Sequence, residues 1–378
     1  MIPIFMTPPS FLGKGAVILT RLERTDNDDR RAPLSAVLTV TVLGSVSSGT
    51  FWAGLFFVSA GVYHFTPAAN LTLATVMGAV YAVAARGAGR LARGRAPRQV
   101  LSAALLVWTG SALLPLLLPG SGAGLWAAAL IGSAASALTF PVVESYLTAG
   151  RHGAEMRSAI GQFNLTWTPA TALPLLVLAL LARHPAGSFV VSAAASALAW
   201  LTIWRLPAHP AAHDPDASAQ AVGPTYRALL RAASWLLPFS YVVSATLAPI
   251  LPHRLAAVGA GSAASLLAAA WMGTRFLALA LMWRTHFWHG RWGTLAAGAA
   301  ALVSGLALVL LARTLPVLMV GLFAYGAGMG VIYYASLYYV MAVGAAAVDA
   351  GGNFEALIGV GYCVGPLLGL IADALARR

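Results

Sequence analysis

Charge is scarce in this chain. Asp, Glu, Lys and Arg together make up 9% of its 378 residues, against about a quarter in a soluble domain, so the chain could not cover a surface facing water. Cysteine is nearly absent as well. The single Cys363 lies in an apolar run, which excludes a disulfide framework and a cysteine-based zinc centre. No Gly-rich phosphate loop ending in Lys is present, so direct coupling to ATP is unsupported. The eight histidines fall almost all in predicted loops or at span ends. His286 and His289 are the closest pair and form no ligand cluster, so no metal and no other cofactor is expected. There is no cleavable leader in this reading, because Lys14, Arg21, Glu23 and the run Asp26 to Arg31 separate the mildly apolar start from the first apolar segment.

Apolar sequence fills the rest. Hydrophobic residues reach 59% and mean hydropathy is +0.79. Runs of about 20 apolar residues, separated by short basic or Gly/Pro-rich breaks, read as transmembrane helices. We place eleven spans, at 34–62, 68–86, 99–118, 123–148, 157–182, 186–204, 232–252, 261–283, 293–312, 315–341 and 353–373. A tail over 1–33 precedes them. The Pro-, Ala-, Asp- and Ser-rich stretch within 206–231 reads as a flexible linker, dividing an N-terminal unit of six helices (34–205) from a C-terminal unit of about five (232–378).

Lys and Arg fix the orientation. With the N-terminus inside, 17 of the 23 fall on the cytoplasmic side, 5 on the outer side and Arg275 within a span. The net charge of +12 therefore reads as a topology signal, not as a nucleic-acid surface. The expected location is a bacterial inner membrane, with the N-terminus cytoplasmic and the chain a monomer in the bilayer. Eleven spans leave the closing Ala-Arg-Arg outside, against the bias; either a twelfth span is absent or the last span is only partly inserted.

Duplicated halves are common in transporters. A shift of 192 residues lays Ala172–Leu176 on Val364–Leu368 and Tyr146 on Tyr338, and Met77-Gly78 resembles Met272-Gly273 at a similar offset. Six spans, a long linker and a second set of spans resemble the major facilitator superfamily over nearly the whole length. The 2–3 loop, Gly89 to Arg98, is similar in composition and place to that family's Gly-x-x-x-Asp-Arg-x-Gly-Arg-Arg signature. It lacks the Asp and is compressed, which leaves open a plain positive-inside cluster of Arg93, Arg95 and Arg98. The resemblance implies an all-α polytopic fold of two helical bundles around a central cavity that opens alternately to each side.

Few residues in the spans can carry chemistry. Glu144 sits about one turn from the cytoplasmic end of span 4, either in a structural ion pair or as a carboxylate that takes up a proton or binds substrate. Glu355, near the start of span 11, could simply complement a helix N-terminus capped by Gly352 or Asn353. In a facilitator-like fold, Glu144, Arg151 and Arg157 would approach Asp349, Asn353 and Glu355 at an inner gate. Arg275 interrupts an apolar helix; it either snorkels to the interface or lines the cavity, where it would favour an anionic substrate. Further candidates are Trp52, Asn164, Trp167, Tyr241 and Tyr334, with Tyr325, Tyr333 and Tyr338 beside them. Gln162 and Asn164, two apart, do not share a helix face, whereas Asn164 and Trp167 do. Gly361, Gly365 and Gly369 read as a packing stripe.

The leading function is a secondary transporter of a small molecule, with protons as a candidate coupling ion. A polytopic membrane enzyme would need a paired acid or His-rich site at the membrane face, which the sequence does not offer. A non-transporting membrane sensor in the same fold is the other alternative.

Overall fold

The computed structural model describes residues 31–180, 186–212, 224–259, 267, 270–344 and 346–376. Tail residues 1–30, linker residues 213–223 and most of the first part of span 8 lie outside the described residues. Among the described residues there are eleven α-helices: α1 (Leu34–Gly61), α2 (Pro67–Arg93), α3 (Pro97–Leu117), α4 (Gly122–Thr148), α5 (Gly153–Leu180), α6 (Gly187–Thr202), α7 (Pro224–Ala257), α8 (Ala270–Arg284), α9 (Trp292–Leu311), α10 (Leu315–Val343) and α11 (Val348–Ala376). Among the described residues there is no strand, and nine helices are long and apolar enough to cross a membrane. Large apolar side chains such as Val83, Trp235 and Leu311 stand exposed on the outside, where lipid is their natural solvent. This is an integral membrane protein with an all-α polytopic fold.

Helix ends differ from the apolar runs for a physical reason. Apolarity follows the thickness of the hydrocarbon, whereas a helix continues as long as its backbone bonds and its packing allow. The start of α7, Pro224 to Arg231, was expected in the linker. It is helical because Leu229 is fully buried and the Tyr226 ring packs on Tyr338 and Tyr339, at 6.3 and 5.2 Å. α2 runs through the expected 2–3 loop as far as Arg93. α11 begins at Val348, so Asp349 occupies its first turn. Glu355 lies two turns further in and is 4% exposed; the capping explanation for it does not hold.

Backbones come closest along α2 and α11. A side chain on Gly78 would collide with the backbone of Tyr362 and Cys363, and one on Gly359 with Ala82. Gly361 and Gly365 press on Tyr241 and Ala245 of α7, so the glycine stripe is a packing surface. Gly273, by contrast, has nothing within 4 Å, so the Met-Gly repeat does not share a packing role. Besides the α2–α11 pair, α4 packs on α11 and α5 on both α8 and α10. Overpacking such a contact costs about 1–3 kcal/mol. Gly78→Leu is expected to lower the Tm of detergent-solubilised protein by roughly 5 °C. Gly87→Leu, with nothing within 4 Å of its added carbon, should leave it unchanged. Equal Tm values for the two variants would count against this packing.

Candidate functional site

Arg275 of α8 is 4% exposed and does not snorkel. Its guanidinium lies over the ring of Trp167 at 4.8 Å and that of Tyr333 at 5.1 Å, and the two rings touch each other at 5.2 Å, so α5 and α10 together form one aromatic wall against it. Its Nη2 donates to the Tyr241 hydroxyl of α7 at 3.3 Å, long for a hydrogen bond to a charged donor. Its Nε is buried without a partner, and among the described residues no carboxylate is paired with it. The cation is thus desolvated against two adjoining aromatic rings, each contact worth about 2 kcal/mol, while one in-plane donor is left over. Trp167 is held in place by its Nε1 donating to Asn164 Oδ1 at 2.9 Å. The Asn164 amide nitrogen is itself buried and unpartnered. Both orphaned groups are donors, and each suits an acceptor.

The two intramembrane acids meet. Pro141 of α4 and Gly351 of α11 bring their helices into backbone contact: a side chain on Gly351 would lie 3.0 Å from Pro141 Cα and 2.9 Å from Glu144 Oε2. The Glu144 carboxyl fills the space that Gly351 leaves, and the Glu355 carboxyl, one turn along α11, lies against it. Glu144 is 0% exposed, and neither of its oxygens has a donor among the described residues. The Tyr81 hydroxyl of α2 donates to Glu355 Oε2. Aromatic rings join this pair to Arg275: Tyr362 touches Tyr81 at 6.2 Å and Tyr241 at 5.2 Å, and Phe354 touches Tyr333 at 5.3 Å. Acids, arginine and aromatics form one layer, buried except at the Tyr362 ring, which is 42% exposed.

A second layer lies at the end of the helices where α4 stops and α11 starts, here called the base. Arg93 pairs with Asp349, Arg86 Nη1 donates to Asn353 Oδ1, Ser145 donates to the carbonyl of Ala346 at 2.8 Å, and Tyr334 to the carbonyl of Arg157 at 2.7 Å. Gly89 leaves room for the Asp349 carboxyl directly on α2. A cleft of about 270 Å³ opens beside these groups, lined by Arg93, Ser145, Ala211 and Asp349 among others.

Of the residues singled out from sequence, Arg275, Asn164, Trp167 and Tyr241 come together, as do Glu144 and Glu355. Trp52 packs with Phe51 in a separate cluster that includes Trp108 and Phe189. Tyr334 belongs to the base. The expected latch needs correction. Arg151 does not reach α11: its guanidinium donates to the carbonyls of Tyr146, Leu147 and Ala32 at 3.2, 2.8 and 2.9 Å, ending α4 instead. Arg157 contributes its carbonyl. The cations that meet Asp349 and Asn353 come from α2, and Glu144 is not one of their partners. Gln162 turns aside to Ser158 at 3.3 Å. Tyr81 and Tyr362 escaped sequence reading, because a tyrosine in an apolar run gives no sign of what it faces. His289 rests on Trp288 and Tyr338; burial, with Arg157 and His286 adding to it, pushes its imidazole down to about 4. It is neutral at ordinary pH, and no group of three potential ligands occurs among the described residues.

No family model and no curated protein sequence matches the chain. Solved structures do. The human organic anion transporter MFSD10 (TETRAN) superposes with a TM-score of 0.69 at 15% identity, covering 91% of this chain and 93% of that one. The E. coli fucose:proton symporter FucP, in its outward conformation, gives 0.65 at 16% identity over 91% and 92%. The nucleoside transporter NupG gives 0.64 at 15% over the same shares. The chain has the major facilitator fold.

Proposed function

We propose that this chain is a secondary transporter that moves a small organic anion by alternating access, coupled to protons at the Glu144–Glu355 pair. The observation that carries the reading is the unpaired Arg275 guanidinium, buried among rings from α5, α7 and α10 with an in-plane donor free. A buried arginine without a carboxylate is costly unless a ligand supplies one. In this reading the helices of 34–205 and 232–376 are the two moving bodies, and the base faces the cytoplasm, as the arginine distribution expects. In this reading the contacts across the base close that side, and the anion reaches Arg275 from the opposite one. That the similar human structure is of an organic anion transporter, and FucP of a proton symporter, agrees with both halves of the proposal.

The test is counterflow of labelled monoanions into proteoliposomes holding the purified protein. Saturable uptake above protein-free vesicles supports the proposal. Anion binding in a thermal-shift assay without flux would favour the sensor instead.

The base makes a prediction of its own. The Arg93 and Asp349 side chains are 62% and 49% exposed, so their pair is worth about 0–1 kcal/mol. Asp349→Asn is expected to leave Tm unchanged while shifting the population several-fold toward a base-open state. Distances between spin labels on the α4–α5 and α10–α11 loops would lengthen; unchanged distributions would exclude Asp349 from the gate.

A further inference from the structure

Charge within the buried layer is countable, and the count points to how the anion and proton are coupled. Facing the carboxyl pair are Tyr81 from α2, Tyr241 from α7, Tyr333 from α10 and Tyr362 from α11, and Arg275 of α8 lies beyond Tyr241 and Tyr333. Phenols carry no charge at neutral pH. The other cations of α2 are engaged or outside: Arg86 with Asn353, Arg93 with Asp349, and Arg90 exposed. Among the described residues the layer therefore holds one fixed positive charge and two carboxyls.

Those carboxyls touch in a dry interface, and Glu144 has no donor if both are ionised. One proton between them turns the contact into a hydrogen bond and leaves the pair with a single negative charge. With Arg275 the empty layer then sums to zero. A monoanion on Arg275 would bring the sum to minus one in a medium where unbalanced charge is expensive. A second proton on the pair restores neutrality, with the anion on the arginine and both acids neutral.

We propose that the layer is charge-balanced in both its empty and loaded forms, so that one monoanion crosses with one proton and the cycle moves no net charge. The proton enters from the side to which the site is open, completes the Glu144–Glu355 pair, and leaves with the anion on the other side. Arg275 and the acids need not touch, because what couples them is the shared cost of net charge across the intervening tyrosines. A device of this kind uses the membrane's pH gradient and ignores its potential. The inference rests on the anion reading of Arg275 and adds stoichiometry and electroneutrality to it.

Proteoliposome uptake of labelled benzenesulfonate, methanesulfonate and gluconate tests it. These monoanions stay charged and do not cross lipid as neutral acids. A gradient of one pH unit, alkaline inside, should drive about tenfold accumulation of a transported probe, whereas a valinomycin-set potassium potential of either sign should change nothing. Glu144→Gln/Glu355→Gln leaves the empty layer at plus one and the loaded layer neutral. In this variant the pH drive should vanish and the uptake that remains should become sensitive to potential. Potential-driven accumulation by the unmodified protein would overturn the charge balance while leaving anion transport standing. A persistent pH drive in the double variant would overturn the assignment to this pair. Absence of counterflow for all three probes in the unmodified protein would overturn the anion reading itself, and the balance with it.

Discussion

Arg275→Leu is expected to remove anion uptake while leaving a folded protein. Two sets of energies decide this. Burying a guanidinium costs several kcal/mol. The cost is offset by a long 3.3 Å hydrogen bond to Tyr241 and by two ring faces worth about 2 kcal/mol each when desolvated. These terms nearly cancel, so a leucine that fills part of the same space should shift Tm by no more than about 5 °C, in either direction. Loss of the anion's partner is another matter, because truncating one side of a buried charge pair costs about 2–5 kcal/mol. Uptake should therefore fall at least about 30-fold at limiting substrate. Arg275→Lys retains the charge but not the planar fork stacked against Trp167 and Tyr333, and should recover only part of the activity. Arg275→Gln should be no better than leucine. The deciding result is flux through Arg275→Leu in a preparation whose melting curve shows it folded. Unmodified uptake there would remove Arg275 from the site.

The layout of this fold was largely legible. Eleven apolar runs became eleven helices because lipid demands that each crossing satisfy its backbone internally, and hydropathy records that demand directly. Arg275 stood out for the same reason, as a charge where lipid tolerates none. What the runs do not record is how far a helix continues beyond the hydrocarbon, and the base of this molecule is built there. Arg93 and Asp349 both sit on helical turns that hydropathy assigns to loops. From sequence, the facilitator-like layout therefore matches Asp349 to Arg151 and Arg157 of the 4–5 connection rather than to α2. Asn164 and Trp167 could be placed on one face from their spacing. Tyr81, Tyr333 and Tyr362 owe their place to which helix packs opposite, and that is decided by Gly78, Gly351 and Gly361, whose missing side chains admit a neighbouring backbone. Small residues set the partners, while the polar residues they bring together are spread over α2, α4, α7, α8, α10 and α11.

Locking the base should stop transport completely and reversibly. Ala149 after α4, Ala211 in the stretch after α6 and Ala346 before α11 are buried against one another. Ser145 is bonded to the Ala346 carbonyl at 2.8 Å, and Tyr146 holds the stretch after α6 through the carbonyls of Pro207 and Ala208, at 2.7 and 3.0 Å. If access alternates, Ala346 must part from Ala149 whenever the base opens, since nothing the size of an organic anion passes between packed alanines. In a background carrying Cys363→Ala, Ala149→Cys/Ala346→Cys places two small cross-linkable side chains in this one buried cluster. Ala346 has a φ of +55°, a conformation no harder for cysteine than for the alanine already there. Oxidation with copper phenanthroline should abolish both net uptake and counterflow, and dithiothreitol should restore them. Anion binding from the open side should survive the cross-link, because Arg275 and its rings lie in a separate layer. Each single-cysteine variant controls for the chemistry and should transport normally after oxidation. Flux that persists in a fully cross-linked preparation would mean that the base is not the gate, and that the anion, if it crosses at all, takes another route.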